Sequence, residues 1–207
     1  NEVHAINYKM QAYQGKLSGR LKISIVSTGK YIMPYFLADF LKLHPDVELI
    51  LDVTNKSKVI KSLERNEVDF SLVSILPETL TVNRIELMPN RLFLVSNSAT
   101  EFPEKIYDKN ILENIPIILR EMGSGTRQSM EQFMLLNNLN VKKKLELTSN
   151  EAVKQAVIAG LGCSIMPIIG IKNEITTGNL QIIPVRGLPI QSTWNLIWHK
   201  NKNFSPI

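Results

Sequence analysis

The chain has 207 residues, of which 44% are hydrophobic and 21% are charged, and its formal net charge is +5 at pH 7. This composition is typical of a folded globular protein, and the length suffices for one large domain or two small lobes without a disulfide or a metal. It contains no apolar run near the roughly 20 residues that span a bilayer, so we expect no membrane partner. The positive residues are scattered except at 142–144, where a lysine run predicts a solvated turn rather than a nucleic-acid patch.

The only cysteine, Cys163, has mostly apolar or small neighbours, which favours a buried thiol over a reactive one. It has no second cysteine to pair with, which is compatible with a reducing cytoplasm. The first residues do not resemble a signal peptide. We therefore expect a cytoplasmic protein.

Strand and helix patterns alternate in the first half of the chain. Residues 1–18 are polar and interrupted by glycine, and we interpret them as the end of a connecting helix and a linker. Residues 19–96 then contain apolar residues at alternating or helical spacing, with Pro34 near a helix start. The pattern predicts strands at 21–25, 47–53, 69–73 and 91–96, with helices at 34–43 and 55–65. This order is typical of a parallel α/β sheet, and we assign residues 19–96 to the first lobe.

The same plan recurs at residues 97–179, which we assign to a second lobe. Buried strands are predicted at 116–119, 145–147 and 163–166. Helices are predicted at 126–136 and around 153–157, the second capped by Ser149 or Asn150 and ended by Gly160. Residues 180–207 contain late strands, and we expect them to cross back to the first lobe, with Trp194 and Trp198 in the core.

Four polar segments follow predicted strands, where ligands bind in open α/β sheets. Three of them open a helix, whose unpaired N–H groups and positive dipole end favour an anion. Each segment alone fits an ordinary cap or turn, and the prediction rests on all four meeting in one cleft. The predicted effector-binding residues are Ser27, Thr28, Gly29, Lys30, Ser74, Gly123, Ser124, Gly125, Thr126, Arg127, Thr148, Ser149 and Asn150.

Within this set, Arg127 can form a bidentate pair with a carboxylate, phosphate or sulfate, and Lys30 can add a point charge. The segment Gly123–Arg127 matches neither a nucleotide phosphate loop nor a hydrolase nucleophile elbow. The three histidines lack metal-ligand spacing. The carboxylates are spread over different elements, and Glu121 is expected to be solvated or ion-paired. We therefore expect no metal, no cofactor and no enzymatic activity.

Several segments resemble the effector-binding domain of LysR-type transcription regulators, in order and spacing, over residues 19 to about 200. Residues 120–127 further resemble a segment of the regulators of carbon fixation and sulfur assimilation. The segments that carry the family resemblance are Gly19–Ile25, Met33-Pro34 with Phe40, His44–Leu49, Leu63–Phe70 and Ala152–Pro167.

The resemblance implies an α/β fold of two Rossmann-like lobes joined by crossing strands, similar to type 2 periplasmic binding proteins. It also implies a small anionic effector between the lobes, bound by the segments named above. The full-length regulator would be a homodimer or homotetramer that binds DNA through an N-terminal winged helix-turn-helix, which we expect these residues to lack. Residues 3–13 would be the end of its linker helix, and the family's last helix would be cut after Pro206.

Two other functions remain open on the sequence alone. The first is a solute-binding protein for a small anion that feeds a transporter, and the helical linker before Gly19 argues against it. The second is an enzyme on the same fold, such as a dehydratase. The polar segments are rich in hydroxyls but poor in bases, which disfavours catalysis.

Overall fold

The computed structural model describes residues 17–202. Two compact units are formed, the first up to Leu87 and again from Asn195, and the second over Met88–Trp194. The domain limits predicted at residues 18, 96 and 179 stay a prediction. The predicted linker-helix end at 3–13 and the cut after Pro206 lie outside the described residues.

The first unit is built on a sheet in which β1 (Gly19–Val26) lies between two parallel neighbours. These are β2 (Val47–Thr54) and β3 (Phe70–Val73). A short 3-10 helix (Ser27–Tyr31), α1 (Met33–Leu43) and α2 (Lys56–Glu64) make the connections. The strands and helices predicted for this part of the chain are confirmed.

Apolar side chains of β1, β3 and α2 form the core of the first unit. Ile25, Leu72, Val59 and Leu63 are all completely buried. The Asn55 side chain caps α2 by accepting a hydrogen bond from the Lys58 N–H at 3.1 Å. Burial of these apolar side chains stabilises the parallel arrangement. The cap gives a hydrogen-bond partner to a backbone N–H group at the helix start that would otherwise lack one.

The second unit contains a parallel pair, β5 (Ile117–Arg120) and β6 (Lys143–Leu147). β5 also forms a parallel bridge to Cys163, just before β7 (Ser164–Pro167). β7 and β8 (Leu180–Ile182) both pair antiparallel with β4 (Val82–Asn97). The helices are α3 (Ile111–Asn114), α4 (Gly125–Leu136), α5 (Asn150–Ile158) and α6 (Lys172–Thr176), with a 3-10 turn at Ile168–Gly170.

The predicted helix boundaries in this unit follow local capping signals. Ser149, not Asn150, is the N-cap of α5, and its Oγ accepts a hydrogen bond from the Ala152 N–H at 3.0 Å. Gly160 follows the helix with φ +76°, a conformation that favours glycine. Met130 and Met134 of α4 are buried, as the helical spacing predicts.

Two long strands run from one unit into the other. β4 begins at Val82, nine residues earlier than predicted, and β9 spans Ile190–His199. The first unit receives the end of β9 as an antiparallel neighbour of β3. Lys202 then holds the chain there, since its buried ammonium lies 3.0 Å from Asp69 Oδ1 and donates to the Val68 carbonyl at 2.6 Å. β9 thus ends in the first unit.

The aromatic residues of β9 lie in the protein interior or at its edge. Trp194 is completely buried. Trp198 is half-buried and meets the Phe70 ring edge-on, with 5.7 Å between ring centroids. The prediction that Trp194 is a core residue is confirmed.

Candidate functional site

The polar segments of the first unit meet at the carboxyl edge of its sheet. β1 and β3 are parallel, with Ile25 opposite Leu72, so that Ser27 and Ser74 leave the sheet side by side. Thr28 is buried, at 6% exposure, whereas Ser74 is half-buried and Lys30 is exposed. The Lys30 ammonium lies 5.2 Å from the centre of the Tyr31 ring. The five predicted effector-binding residues of the first unit therefore all lie at one edge of its sheet.

Gly29 lets this segment pack directly on the sheet. A Cβ atom on Gly29 would lie 2.8 Å from Leu72 Cδ2 and 3.3 Å from Ile25 Cβ. Contacts this short are repulsive in a packed core. The absence of a side chain thus brings the backbone of the 3-10 helix against β1 and β3, and Thr28 with it.

In the second unit, the segment after β5 leads into α4. Gly123 has φ +85°, which favours glycine and turns the chain into the helix. Ser124 is the N-cap, is buried, and accepts a long hydrogen bond of 3.5 Å from the Arg127 N–H. Within residues 17–202, the backbone N–H groups of Gly125 and Thr126 have no hydrogen-bond partner. The start of α4 therefore presents free donors at the positive end of its dipole.

The neighbouring segment leads from β6 into α5. Because β5 and β6 are parallel and Arg120 lies opposite Leu147, both helices begin at the same edge of the sheet. The Glu121 N–H donates to the Leu147 carbonyl at 3.1 Å and joins the two segments. Thr148 is exposed and Ser149 is half-buried. The second unit therefore also brings its predicted residues together.

Asn150 adds a buried donor at the same edge. The residue is 1% exposed, and its Nδ2 atom has no hydrogen-bond partner among the described residues. Buried amides normally find an acceptor. An amide donor left open at a helix start fits a ligand that brings acceptor oxygens.

The guanidinium of Arg127 has protein partners. Its Nε donates to Glu131 Oε1 at 2.7 Å, and its Nη1 donates to Glu146 Oε2 at 2.7 Å and to the Arg120 carbonyl at 3.0 Å. Burial acts to lower the pKa of Arg127, but the hydrogen bonds to both carboxylates together raise it above its usual value. A bidentate contact of Arg127 with an effector, predicted from the sequence, would require part of this network to open.

A second arginine, Arg120, lies at this edge and is not among the residues predicted to bind the effector. Arg120 is 3% exposed and forms a bidentate pair with the Glu121 carboxylate, Nε to Oε2 at 2.8 Å and Nη2 to Oε1 at 3.0 Å. The expectation that Glu121 is ion-paired is confirmed. One sequence feature could have identified Arg120. It is a charged residue at the end of the buried strand 117–120, and a residue of opposite charge follows it directly.

Cys163 lies in the hydrophobic core of the second unit. Cys163 is 5% exposed, and burial raises the pKa of its thiol to about 11, so that it is a core residue as predicted. Within residues 17–202, no group of three or more histidine, cysteine or acidic side chains is arranged to hold a metal ion. The described helices include none long and apolar enough to cross a membrane.

The chain forms two α/β units that are linked by long strands. Each unit has polar segments at the carboxyl edge of a parallel sheet, and this arrangement is typical of a two-lobed ligand-binding domain. The family described as LysR substrate binding domain matches residues 14–207. The chain belongs to this family.

Curated relatives of the chain are transcription regulators. It is 34% identical over 193 residues to the HTH-type transcriptional activator CmpR of Synechocystis sp., which covers 93% of this chain and 64% of CmpR. It is 35% identical over 199 residues to the RuBisCO operon transcriptional regulator of Acidithiobacillus ferrooxidans, covering 96% and 64%. The chain thus spans less than two thirds of the length of these relatives. Their names fit the regulator interpretation and not the solute-binding alternative.

Solved structures share the fold. The CcmR regulatory domain of Synechocystis, in complex with 2-PG, has a TM-score of 0.86 and 30% identity, with 91% of each chain covered. The effector binding domain of QuiR, in complex with shikimate, has a TM-score of 0.80 at 18% identity, which shows the fold alone. The predicted fold class is confirmed, namely α/β with two Rossmann-like lobes joined by crossing strands and similar to type 2 periplasmic binding proteins. The predicted contact residues stay a prediction.

Proposed function

We propose that this chain is the effector-sensing domain of a LysR-type transcription regulator and binds a small anionic metabolite. The observation that carries the proposal is the start of α4 and α5, where the Gly125 and Thr126 N–H groups and the Asn150 amide lack partners within the described residues. Donors of this kind at two adjacent helix starts suit a carboxylate, phosphate or sulfate. The related CcmR domain in complex with 2-PG, a small anion, supports this class of ligand.

The first unit would supply the other half of the contacts, from Ser27–Lys30 and Ser74. An effector held by both lobes favours the lobe arrangement that offers it both sets of contacts. The full-length protein would be a homodimer or homotetramer with a winged helix-turn-helix. The effector can change its DNA binding only if it binds one lobe arrangement more tightly than the other. Such a regulator acts in the cytoplasm, where its DNA lies, and its effector is bound without being converted.

The proposal is tested by thermal shift with a panel of carboxylates, phosphates and sulfate. A ligand at about one hundred times its Kd stabilises the folded state by about 2.7 kcal/mol. We expect at least one anion to raise Tm saturably, and the shift to shrink in the Thr28→Ala and Thr126→Ala variants. Thr79→Ala, which changes an exposed threonine outside the predicted site, is the matched control.

The shift is measured as the difference between bound and free Tm of each variant, because Thr28→Ala can lower stability by itself. Equal shifts in all three variants and the parent, or no shift with any anion, would contradict the anion site. Turnover of any panel compound would contradict the proposal that the domain only binds.

A further inference from the structure

A cavity of about 400 Å³ lies wholly within the second unit. Its wall comes from β4, from β9 and from the residues that follow β7. None of the residues predicted to bind the effector lines it. It is thus a candidate ligand site in addition to the helix starts of α4 and α5.

Trp194 is one of the residues that line this cavity. Its Nε1–H has no hydrogen-bond partner among the described residues. Because Trp194 is completely buried, it lies behind the cavity surface, where its emission can report on a ligand without direct contact.

The charged residues of the cavity wall are all positive. Arg91 and Lys172 line it, and no aspartate or glutamate does. Neither cation forms an ion pair or a side-chain hydrogen bond within the part of the chain that the structure describes. Asn90, also in the wall, is held in place by a hydrogen bond from its Nδ2 to Ser192 Oγ at 3.0 Å. The polar side of the cavity is therefore suited to a negative group.

The remaining wall is apolar. Pro89, Ile168 and Ile169 contribute to it, together with the indole ring of Trp194. Small-molecule sites combine such apolar surface with a few polar groups that set orientation. An inorganic anion has no apolar part to pack against this wall, whereas an organic anion does.

We propose that this cavity binds a small organic carboxylate with a short hydrocarbon part. The carboxylate is neutralised by Arg91 and Lys172. The hydrocarbon part packs on Pro89, Ile168 and Ile169. The site is independent of the proposed anion site at the helix starts, and either can fail without the other.

The test uses Trp194 as its own reporter. The chain has two tryptophans, and Trp198→Phe leaves Trp194 as the only one while keeping an aromatic ring beside Phe70. Titration with valerate is followed by tryptophan emission, with 1-pentanol as the uncharged probe of similar length. We expect a saturable change with valerate, and a Kd for 1-pentanol weaker by about tenfold or more, since a charged hydrogen-bonded group is lost.

Charge-removing variants then locate the site. In the Trp198→Phe background, Lys172→Gln and Arg91→Gln should each weaken valerate binding by about tenfold. Both side chains are exposed, so that neither change disturbs the core. Lys142→Gln, which removes an exposed charge elsewhere in the second unit, should leave Kd unchanged.

Three results would overturn the proposal. The first is no saturable change in Trp194 emission, and the second is equal affinity for valerate and 1-pentanol. The third is binding that survives Lys172→Gln and Arg91→Gln but is lost in Thr126→Ala, since this would assign the carboxylate to the start of α4.

Discussion

Arg127 and Glu146 join the start of α4 to β6, with 2.7 Å between Nη1 and Oε2. The arginine side chain is 12% exposed and the glutamate side chain 35%. The same Oε2 lies 3.0 Å from the Lys143 ammonium. Glu146 thus fixes the position of a mostly buried arginine beside the proposed anion site. The charge of the Glu146 carboxylate should therefore contribute to the stability of that edge of the sheet.

The first prediction concerns this ion pair and pH. Hydrogen bonds from Lys143 and then Arg127 lower the pKa of Glu146 below its ordinary value of 4.5. The stability that Glu146 contributes is therefore present above pH 4.5 and is lost as pH falls through its lower pKa in the folded protein. Glu146→Gln should lower Tm at neutral pH, and the difference from the parent should shrink on acidification.

Circular dichroism melts at about pH 7, 5 and 3.5 measure this difference across the titration. Glu101→Gln, an exposed glutamate without an ion pair among the described residues, is the control and should show no comparable effect. A Tm difference for Glu146→Gln that stays constant over this range would contradict the prediction.

The second prediction concerns the packing of Gly29. Because an added Cβ would lie 2.8 Å from Leu72 Cδ2, Gly29→Ala should destabilise the protein by about 1–3 kcal/mol. Leu72→Val removes that Cδ2 atom. In the Leu72→Val background the further cost of Gly29→Ala should therefore fall by about 0.5 kcal/mol or more, the coupling typical of residues in contact.

Urea unfolding of the parent, both single variants and the double variant measures the coupling. Strict additivity of the two substitutions would show that Leu72 is not what limits space at Gly29. A gain in stability from Gly29→Ala alone would show that the backbone relaxes away from the sheet.

The third prediction concerns Cys163. Burial raises the pKa of its thiol to about 11, so that about 0.1% is thiolate at pH 8. Because it is the only cysteine, a disulfide reagent that releases a coloured thiol reports on this residue alone. Reaction should be slow in the native protein and fast in guanidinium chloride, and Cys163→Ala gives the baseline.

The same shift has a defined sign for stability. The folded protein favours the protonated thiol, so its contribution is present below the ordinary pKa of 9.0 and decreases as pH rises through that value. Native-state labelling as fast as labelling in denaturant would contradict the burial of Cys163.

Local patterns predicted most of the secondary structure because their signals lie in neighbouring residues. Alternation identified β1 and β2, and the hydroxyl of Ser149 marked the start of α5. β4 was predicted too short, since Val82 to Asn90 show no clean alternation. β4 as a whole lies between strands that are distant in the chain, and local periodicity does not report such neighbours.

Local signals predict the α/β class and the four polar segments, because strand periodicity, caps and glycines act over a few residues. The resemblance to the family depends instead on the order and spacing of several segments along the chain. The partners of Arg127 are set only by the tertiary structure, and so are the burial of Arg120 and the cavity beside Trp194. These features depend on which strands become neighbours and which charges then meet in a shielded environment. Residues far apart in the chain decide such contacts, and no local pattern encodes them.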